Sequence, residues 1–140
     1  MLKYYFGIIF LAINTFSYSQ EESNSCLDPS KKVIRLLKSA NEAKDTRTAV
    51  DDFNSAIALD EENAMAYYEY GMYAYTNALK FYDMYPNPAR GNKSFLKAEQ
   101  MFAAALDICS DYHANCSYYL GVINYSQKDM PQAIKWFKEF

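Results

Sequence analysis

The sequence predicts an all-α fold of three consecutive helical hairpins, and three observations lead to this prediction. Glycine and proline are scarce, with four of each among 140 residues, and 51% of the residues are hydrophobic. Apolar residues recur at intervals of three and four, the spacing of one face of an α-helix. A short phrase, alanine followed four residues later by phenylalanine, occurs three times, at Ala49/Phe53, Ala98/Phe102 and Ala133/Phe137. Such a phrase indicates a repeated supersecondary unit.

Residues 1–19 have the features of a secretory signal peptide. Lys3 supplies an early positive charge, residues 6–16 are apolar except for Asn14, and Ser17 and Ser19 offer small side chains at the positions that a signal peptidase needs. An apolar run of about 11 residues is short against the ~20 that a bilayer span needs, which favours cleavage over an uncleaved anchor. We therefore expect an exported protein.

The expected helical domain covers residues 30–140 and follows a polar lead-in over residues 20–29. Asp28-Pro29 is expected to open the first helix, because aspartate caps a helix N-terminus and proline fits its first position. Asp45-Thr46 should end that helix and cap the second, so that the two form a first hairpin.

The second hairpin is expected to contain a loop between two unequal helices. The third helix should run unbroken to Tyr85, and the prolines and Gly91-Asn92 that follow predict a loop over residues 86–93. The fourth helix is then expected from about Ser94 to Ile108.

The spacing of the repeated alanines locates an insertion in this second hairpin. Ala98 and Ala133 are 35 residues apart, whereas Ala49 and Ala98 are 49 apart, so about 15 residues are inserted. The insertion is either tolerated surface length or a contact surface. The second alternative is based on apolar residues that continue along the extension, namely Leu79, Tyr82 and Tyr85.

The third hairpin is expected over roughly residues 114–126 and 131–140, with Asp129 before its second helix. Phe140 stands at the position of the last alanine in the earlier copies, before this helix would be complete. Terminal repeats need a covering element. We therefore expect either a partner at this end or a chain that continues into a longer protein.

A family resemblance is carried by the segment from Asp60 to Gly71, with its aromatic run before the glycine, and by the alanine–phenylalanine–alanine spacing downstream. This pattern resembles that of the tetratricopeptide repeat (TPR) family, whose units are helix–turn–helix pairs of about 34 residues. The resemblance implies a right-handed superhelix of three repeats, over residues 30–63, 64–112 and 113–140.

The same resemblance implies that a partner binds on the concave face, which is lined by the first helix of each repeat. The family's groove positions correspond here to Tyr68, Met72, Tyr75, Tyr118, Val122 and Tyr125. A tyrosine-rich groove suits apolar contact combined with hydroxyl hydrogen bonds. The alternative is that these tyrosines pack internally.

Three cysteines lie in a chain that we expect to reach an oxidising compartment. A short reversal between Cys109 and Cys116 could bring their α-carbons within bridging range, so one expectation is a Cys109–Cys116 disulfide. The alternatives are that Cys26 pairs with either of them, or that all three are buried apolar residues.

Composition and motifs do not favour catalysis, cofactor binding or nucleic-acid binding. His113 is the only histidine and no paired C-x-x-C motif exists, so we expect no metal site and no cofactor. His113 is expected at the surface or in a capping role. The net charge is −3 with no basic run, which makes nucleic acid an unexpected partner.

The signal, together with the Cys26–Lys32 start of the mature region, also resembles the N-terminal repeat region of bacterial envelope proteins with a later β-propeller and an outer-membrane-protein-A-like domain. We expect a non-catalytic scaffold module of the periplasm or outer membrane, with only indirect membrane association. Its partner would be a protein or peptide, or the later domains of the same longer chain. The alternative function is carbohydrate binding on a TPR-like scaffold, with tyrosines stacking on sugars.

Overall fold

The computed structural model describes residues 26, 28–83 and 88–140, and this part of the chain is all-α, as the sequence predicts. Six helices follow one another, with no strand among the described residues. Their bounds are Lys31–Glu42 (α1), Thr46–Leu59 (α2), Ala64–Asp83 (α3), Pro88–Ile108 (α4), Asn115–Ser126 (α5) and Met130–Glu139 (α6). The predicted signal peptide, residues 1–19, lies outside the described residues.

Side-chain caps fix the starts of three of the helices. Asp45 accepts a hydrogen bond from the backbone N–H of Thr48 at 2.9 Å, and Asp129 caps α6 in the same way. The cap at Asp45 confirms the sequence prediction, and α6 begins directly after Asp129, one residue before the predicted start at Pro131. The predicted cap at Asp28 is wrong, because Ser30 accepts the hydrogen bond at the start of α1. Serine is as good an N-cap as aspartate, so the helix begins two residues later than predicted.

The second hairpin is much longer than the other two. Helices α3 and α4 have 20 and 21 residues, so each spans about 30 Å, whereas the 12 residues of α1 span about 18 Å. The predicted loop over residues 86–93 is wrong for its second part, because α4 already includes Pro88. Gly91 lies inside α4 against the ring of Tyr82, whose hydroxyl is hydrogen-bonded to Asn92. The glycine therefore serves close helix packing rather than a turn.

Neighbouring helices pair along the chain into three hairpins, α1 with α2, α3 with α4, and α5 with α6. Successive hairpins contact each other through α2 and α3 and through α4 and α5, and α1 also contacts α3. Ring contacts join α3 to α5, since the ring centroids of Tyr75 and Tyr119 are 4.9 Å apart. The first helices of the three hairpins thus contact one another in sequence order.

The repeated alanine–phenylalanine phrase lies where helices pack together. All three alanines are buried, and Phe53 and Phe102 have no exposed surface, whereas 41% of Phe137 is exposed. The described core forms two clusters, one around the first hairpin and one around the second and third hairpins. The phrase therefore marks the tight contact within each hairpin, and its third copy is the least covered.

Gly71 and Gly121 occupy equivalent positions against the phenylalanine of their own hairpin. A Cβ atom on Gly71 would lie 2.8 Å from Cε1 of Phe102, and one on Gly121 would lie 2.5 Å from Cε1 of Phe137. Both separations are well below van der Waals contact. Glycine at these positions therefore permits the close approach of the paired helices.

Replacing each of these two glycines by alanine is expected to affect stability differently. Overpacking costs about 1–3 kcal/mol, whereas alanine gains about 1 kcal/mol over glycine in a helix. Gly71→Ala should lower the free energy of unfolding by about 1 kcal/mol, because Phe102 is enclosed by the core. Gly121→Ala should leave it equal or slightly higher, because the half-exposed ring of Phe137 can turn away. Urea unfolding of both variants measures the difference, and a larger loss for Gly121→Ala would contradict the packing described here.

Candidate functional site

The six predicted groove residues fall into two sets with different surroundings. The set on α3 is half-buried and packs against the larger core cluster; its members are Tyr68, Met72 and Tyr75. The set on α5 is more accessible, with Tyr118 42% exposed, Tyr125 61% exposed and Val122 half-buried. The two sets therefore contribute to the site in different ways.

Tyr68, on α3, packs against the residues that precede α5. Its ring stacks on His113 with centroids 4.6 Å apart and meets the edge of Tyr112 at 5.8 Å. Burial raises the pKa of Tyr68 above its usual value, against a smaller lowering by a hydrogen bond with Asn115. His113 itself is exposed, and its Nδ1 accepts a hydrogen bond from the backbone N–H of Asn115 at 3.2 Å. This agrees with the surface and capping role expected for the histidine.

Tyr75 is enclosed in a similar way further along α3. Its ring centroid lies 5.7 Å from that of Phe95 on α4 and 4.9 Å from that of Tyr119 on α5. Burial raises its pKa, with smaller contributions from neighbouring tyrosines. For Tyr68 and Tyr75 the structure thus agrees with the alternative expectation of internal packing. These two rings fix the position of α5 against α3.

The exposed face of α5 contains Tyr118, Val122 and Tyr125. Their spacing of four and three residues places them on one side of the helix. The ring of Tyr118 approaches Phe140 with centroids 5.5 Å apart and Phe137 at 6.2 Å. Apolar exposure continues onto α6, whose large exposed residues are Met130, Ile134 and Phe137. This end of the described chain therefore presents an apolar, tyrosine-containing surface.

Met72 lines an open pocket between the first two hairpins. The pocket has a volume of about 410 Å³ and lies between the α1–α2 connection and the middle of α3. Its lining residues are mostly polar: Asn41, Ala43, Lys44, Thr46, Met72, Tyr73, Thr76, Asn77 and Lys80. The groove positions did not include Asn77 or Lys80, although the polar pair Thr76-Asn77 interrupts an otherwise aromatic helix and could have indicated this surface.

The cysteine pairing differs from the predicted Cys109–Cys116 bond. Cys109 is paired with Cys26, with α-carbons 5.3 Å apart, and Cys116 is free and buried. The physical reason is that the segment before α1 comes back to the end of α4, where Cys26 packs against the larger core cluster. The pairing is one of the alternatives that the sequence left open, and it joins cysteines at a sequence separation of 83.

Burial raises the pKa of two further ionisable groups of this core. Burial raises the pKa of the Cys116 thiol to about 12, so the thiolate is not populated near neutral pH. Burial, with a smaller contribution from Glu69, raises the pKa of Tyr112 to about 12. Neither group therefore has the lowered pKa of an activated nucleophile.

The described residues contain neither a metal-binding cluster nor a membrane-spanning helix. No group of three or more histidine, cysteine, aspartate or glutamate side chains is placed to hold a metal ion in this part of the chain. Within residues 26, 28–83 and 88–140, no helix has the length and apolar character needed to cross a membrane.

Comparisons with known proteins leave this all-α chain without a family assignment. No family model, no curated protein and no solved structure matches it.

Proposed function

We propose that this chain is a non-catalytic docking module of an exported envelope protein, built as a TPR-like right-handed superhelix of three hairpins. The observation that carries the proposal is the exposed face of α5, where Tyr118 and Tyr125 are accessible. Tyrosine combines a large apolar ring with a hydroxyl group and is enriched at sites that dominate protein–protein binding.

The arrangement of the first helices supports the superhelical part of the proposal. Helix α1 contacts α3, and α3 contacts α5 through the ring pair Tyr75–Tyr119. Asn41 on α1 donates a hydrogen bond to Glu69 on α3 at 3.1 Å. In the proposed superhelix these three helices line the concave face. Tyr68 and Tyr75 would then support the groove from below, whereas Tyr118, Val122 and Tyr125 would contact the partner.

Export is proposed on two independent grounds. Residues 1–19 have the composition of a secretory signal peptide. The Cys26–Cys109 bond is of the kind that persists in oxidising compartments, such as the bacterial periplasm. Together they support a location in the periplasm or at the outer membrane.

The double variant Tyr118→Ala/Tyr125→Ala tests the docking function. The purified chain is immobilised and exposed to an envelope-protein extract, and the retained proteins are identified and titrated individually. Loss of two exposed tyrosines at a binding centre should weaken the retained partner by about tenfold or more. The matched control is Leu96→Ala, because Leu96 is exposed to a similar degree on α4 and lines neither the groove nor the pocket.

A glycan array in parallel decides between protein docking and the carbohydrate alternative. Equal protein binding by the wild type and the double variant would contradict the docking site. Glycan binding that is lost in the double variant and kept in Leu96→Ala would replace protein docking by carbohydrate binding. Tyr125→Ala alone is included, because Tyr125 makes no ring contact within the described residues and its loss should not alter folding.

A further inference from the structure

The difference in length between the first and second hairpins creates a step on the surface. The α1–α2 connection lies against the middle of α3, so the last turns of α3 and the first turns of α4 extend beyond it. Three neighbouring pockets, of about 410, 200 and 330 Å³, follow this step and share Thr46 and Asn77. We call their combined surface the hairpin step.

Basic side chains from separate segments of the chain collect on the hairpin step. Five of the 14 basic residues of the chain line it, and no aspartate or glutamate of the described residues does. They are Lys44, Lys80, Arg90, Lys93 and Lys97. The sequence shows no basic run, because the fold brings these residues together from three separate segments.

Among the described residues, no carboxylate forms an ion pair with a lysine of the hairpin step. The ion pairs within the described residues are Lys38–Glu42 and Arg47–Asp51, neither of which lines the step. Lys97 lies over the ring of Tyr70, with its Nζ 5.7 Å from the ring centroid. Like charges that share a surface repel each other, so an anionic ligand would be favoured there.

Asn77 lies where the three pockets meet and makes no side-chain hydrogen bond to another described residue. A carboxamide both donates and accepts hydrogen bonds, as a peptide group does. The hydroxyl groups of Thr46 and Ser94 border the same surface. The step therefore offers neutral polar groups that can pair with a peptide backbone beside cations that can pair with carboxylates.

We propose that the hairpin step is a second binding surface, separate from the α5 face, and that its occupant is an acidic segment of a protein, rich in aspartate and glutamate. A short segment fits the charge distribution better than a long polyanion does. The chain carries 17 acidic residues, and only nine basic residues remain outside the step. A nucleic acid that extended past the step would meet this net negative surface, whereas nucleic-acid binding needs many phosphate contacts.

The test uses the full exported chain with its disulfide intact and a fluorescein-labelled hexaglutamate peptide, followed by fluorescence anisotropy. A hexaglutamine peptide with the same label controls for the backbone and the dye. Lys80→Gln/Lys93→Gln removes two charges from the step. Lys31→Gln/Lys32→Gln removes two charges from the other end of α1, about 18 Å away along the helix, and is the matched control.

The expected result is that hexaglutamate binds more tightly than hexaglutamine and that Lys80→Gln/Lys93→Gln weakens its binding by about tenfold, as expected from two exposed charge pairs. The control pair should change it by less than about twofold. Equal binding by the two double variants, or equal binding of the two peptides, would overturn the proposal. Tighter binding of heparin or of a single-stranded oligonucleotide of the same charge, with the same dependence on Lys80 and Lys93, would overturn the assignment to an acidic protein segment.

The same titration with Tyr118→Ala/Tyr125→Ala separates this proposal from the docking function of α5. Unchanged hexaglutamate binding by that variant would support the proposal that the two surfaces bind separately. A loss equal to that of Lys80→Gln/Lys93→Gln would show that hexaglutamate binds the α5 face instead, and would overturn the hairpin step as a second surface.

Discussion

Replacing Phe102 by alanine is expected to lower the free energy of unfolding by about 4 kcal/mol, which lies within the range of about 3–5 kcal/mol for buried phenylalanines. Phe102 has no exposed surface. Its ring stacks on Tyr119 with centroids 5.3 Å apart and meets Tyr68 at 5.9 Å, so it joins α4 to both α3 and α5. Gly71 also packs directly against this ring, so the substitution would remove the contact between α3 and α4 at this point.

Phe137→Ala is the matched control for this prediction, because Phe137 is the same residue of the repeated phrase in the third hairpin. Since 41% of it is exposed, its removal should cost only about 1 kcal/mol. Chemical denaturation of the oxidised proteins, followed by circular dichroism, gives both values. Equal losses would mean that the two copies of the phrase are equally buried, in contradiction to the structure.

Loss of the Cys26–Cys109 bond is expected to have the second largest effect, about 3 kcal/mol of unfolding free energy. The bond closes a loop across a sequence separation of 83 residues. In the chain-entropy account, a loop of this length restricts the unfolded chain strongly, which raises its free energy relative to the folded state. Cys26→Ala should therefore lower the melting temperature by about 10 °C.

Reductant provides the control for the disulfide. Oxidised wild type should lose about the same stability in dithiothreitol as through Cys26→Ala, and the variant itself should not respond to dithiothreitol. Cys116 should react with thiol reagents only after unfolding, because burial raises its pKa to about 12. A wild-type melting temperature that dithiothreitol leaves unchanged would contradict the pairing.

The helices, the cap at Asp45 and the start of α6 after Asp129 could be predicted from the sequence, because their determinants are local. Asp45 and Asp129 cap helices through hydrogen bonds to residues three positions ahead. The repeated phrase likewise reports contacts between helices that are adjacent in the chain. The all-α prediction rested on such signals and needed no knowledge of long-range contacts.

The features that sequence reasoning missed depend on contacts between distant segments. Helix continues through Gly91 because the ring of Tyr82 packs on it, and a glycine within a few residues of two prolines is otherwise typical of a loop. Cys26 and Cys109 lie close together although the first two hairpins separate them in sequence. The basic surface of the hairpin step is likewise invisible in sequence order, because Lys44 and Lys93 lie on different hairpins.

The Cys26–Cys109 bond also determines how the folded chain would carry a pulling force. A force applied at residues before Cys26 and after Cys109 passes from one sulfur atom to the other and bypasses the 82 residues between them. Helices α1 to α4 and the hairpin step lie between the two cysteines and are then not on the load path, whereas α5 and α6 are. If the chain is anchored in a cell envelope as proposed, its first two hairpins would therefore stay folded under tension. The third hairpin, which contains the exposed face of α5, would unfold first.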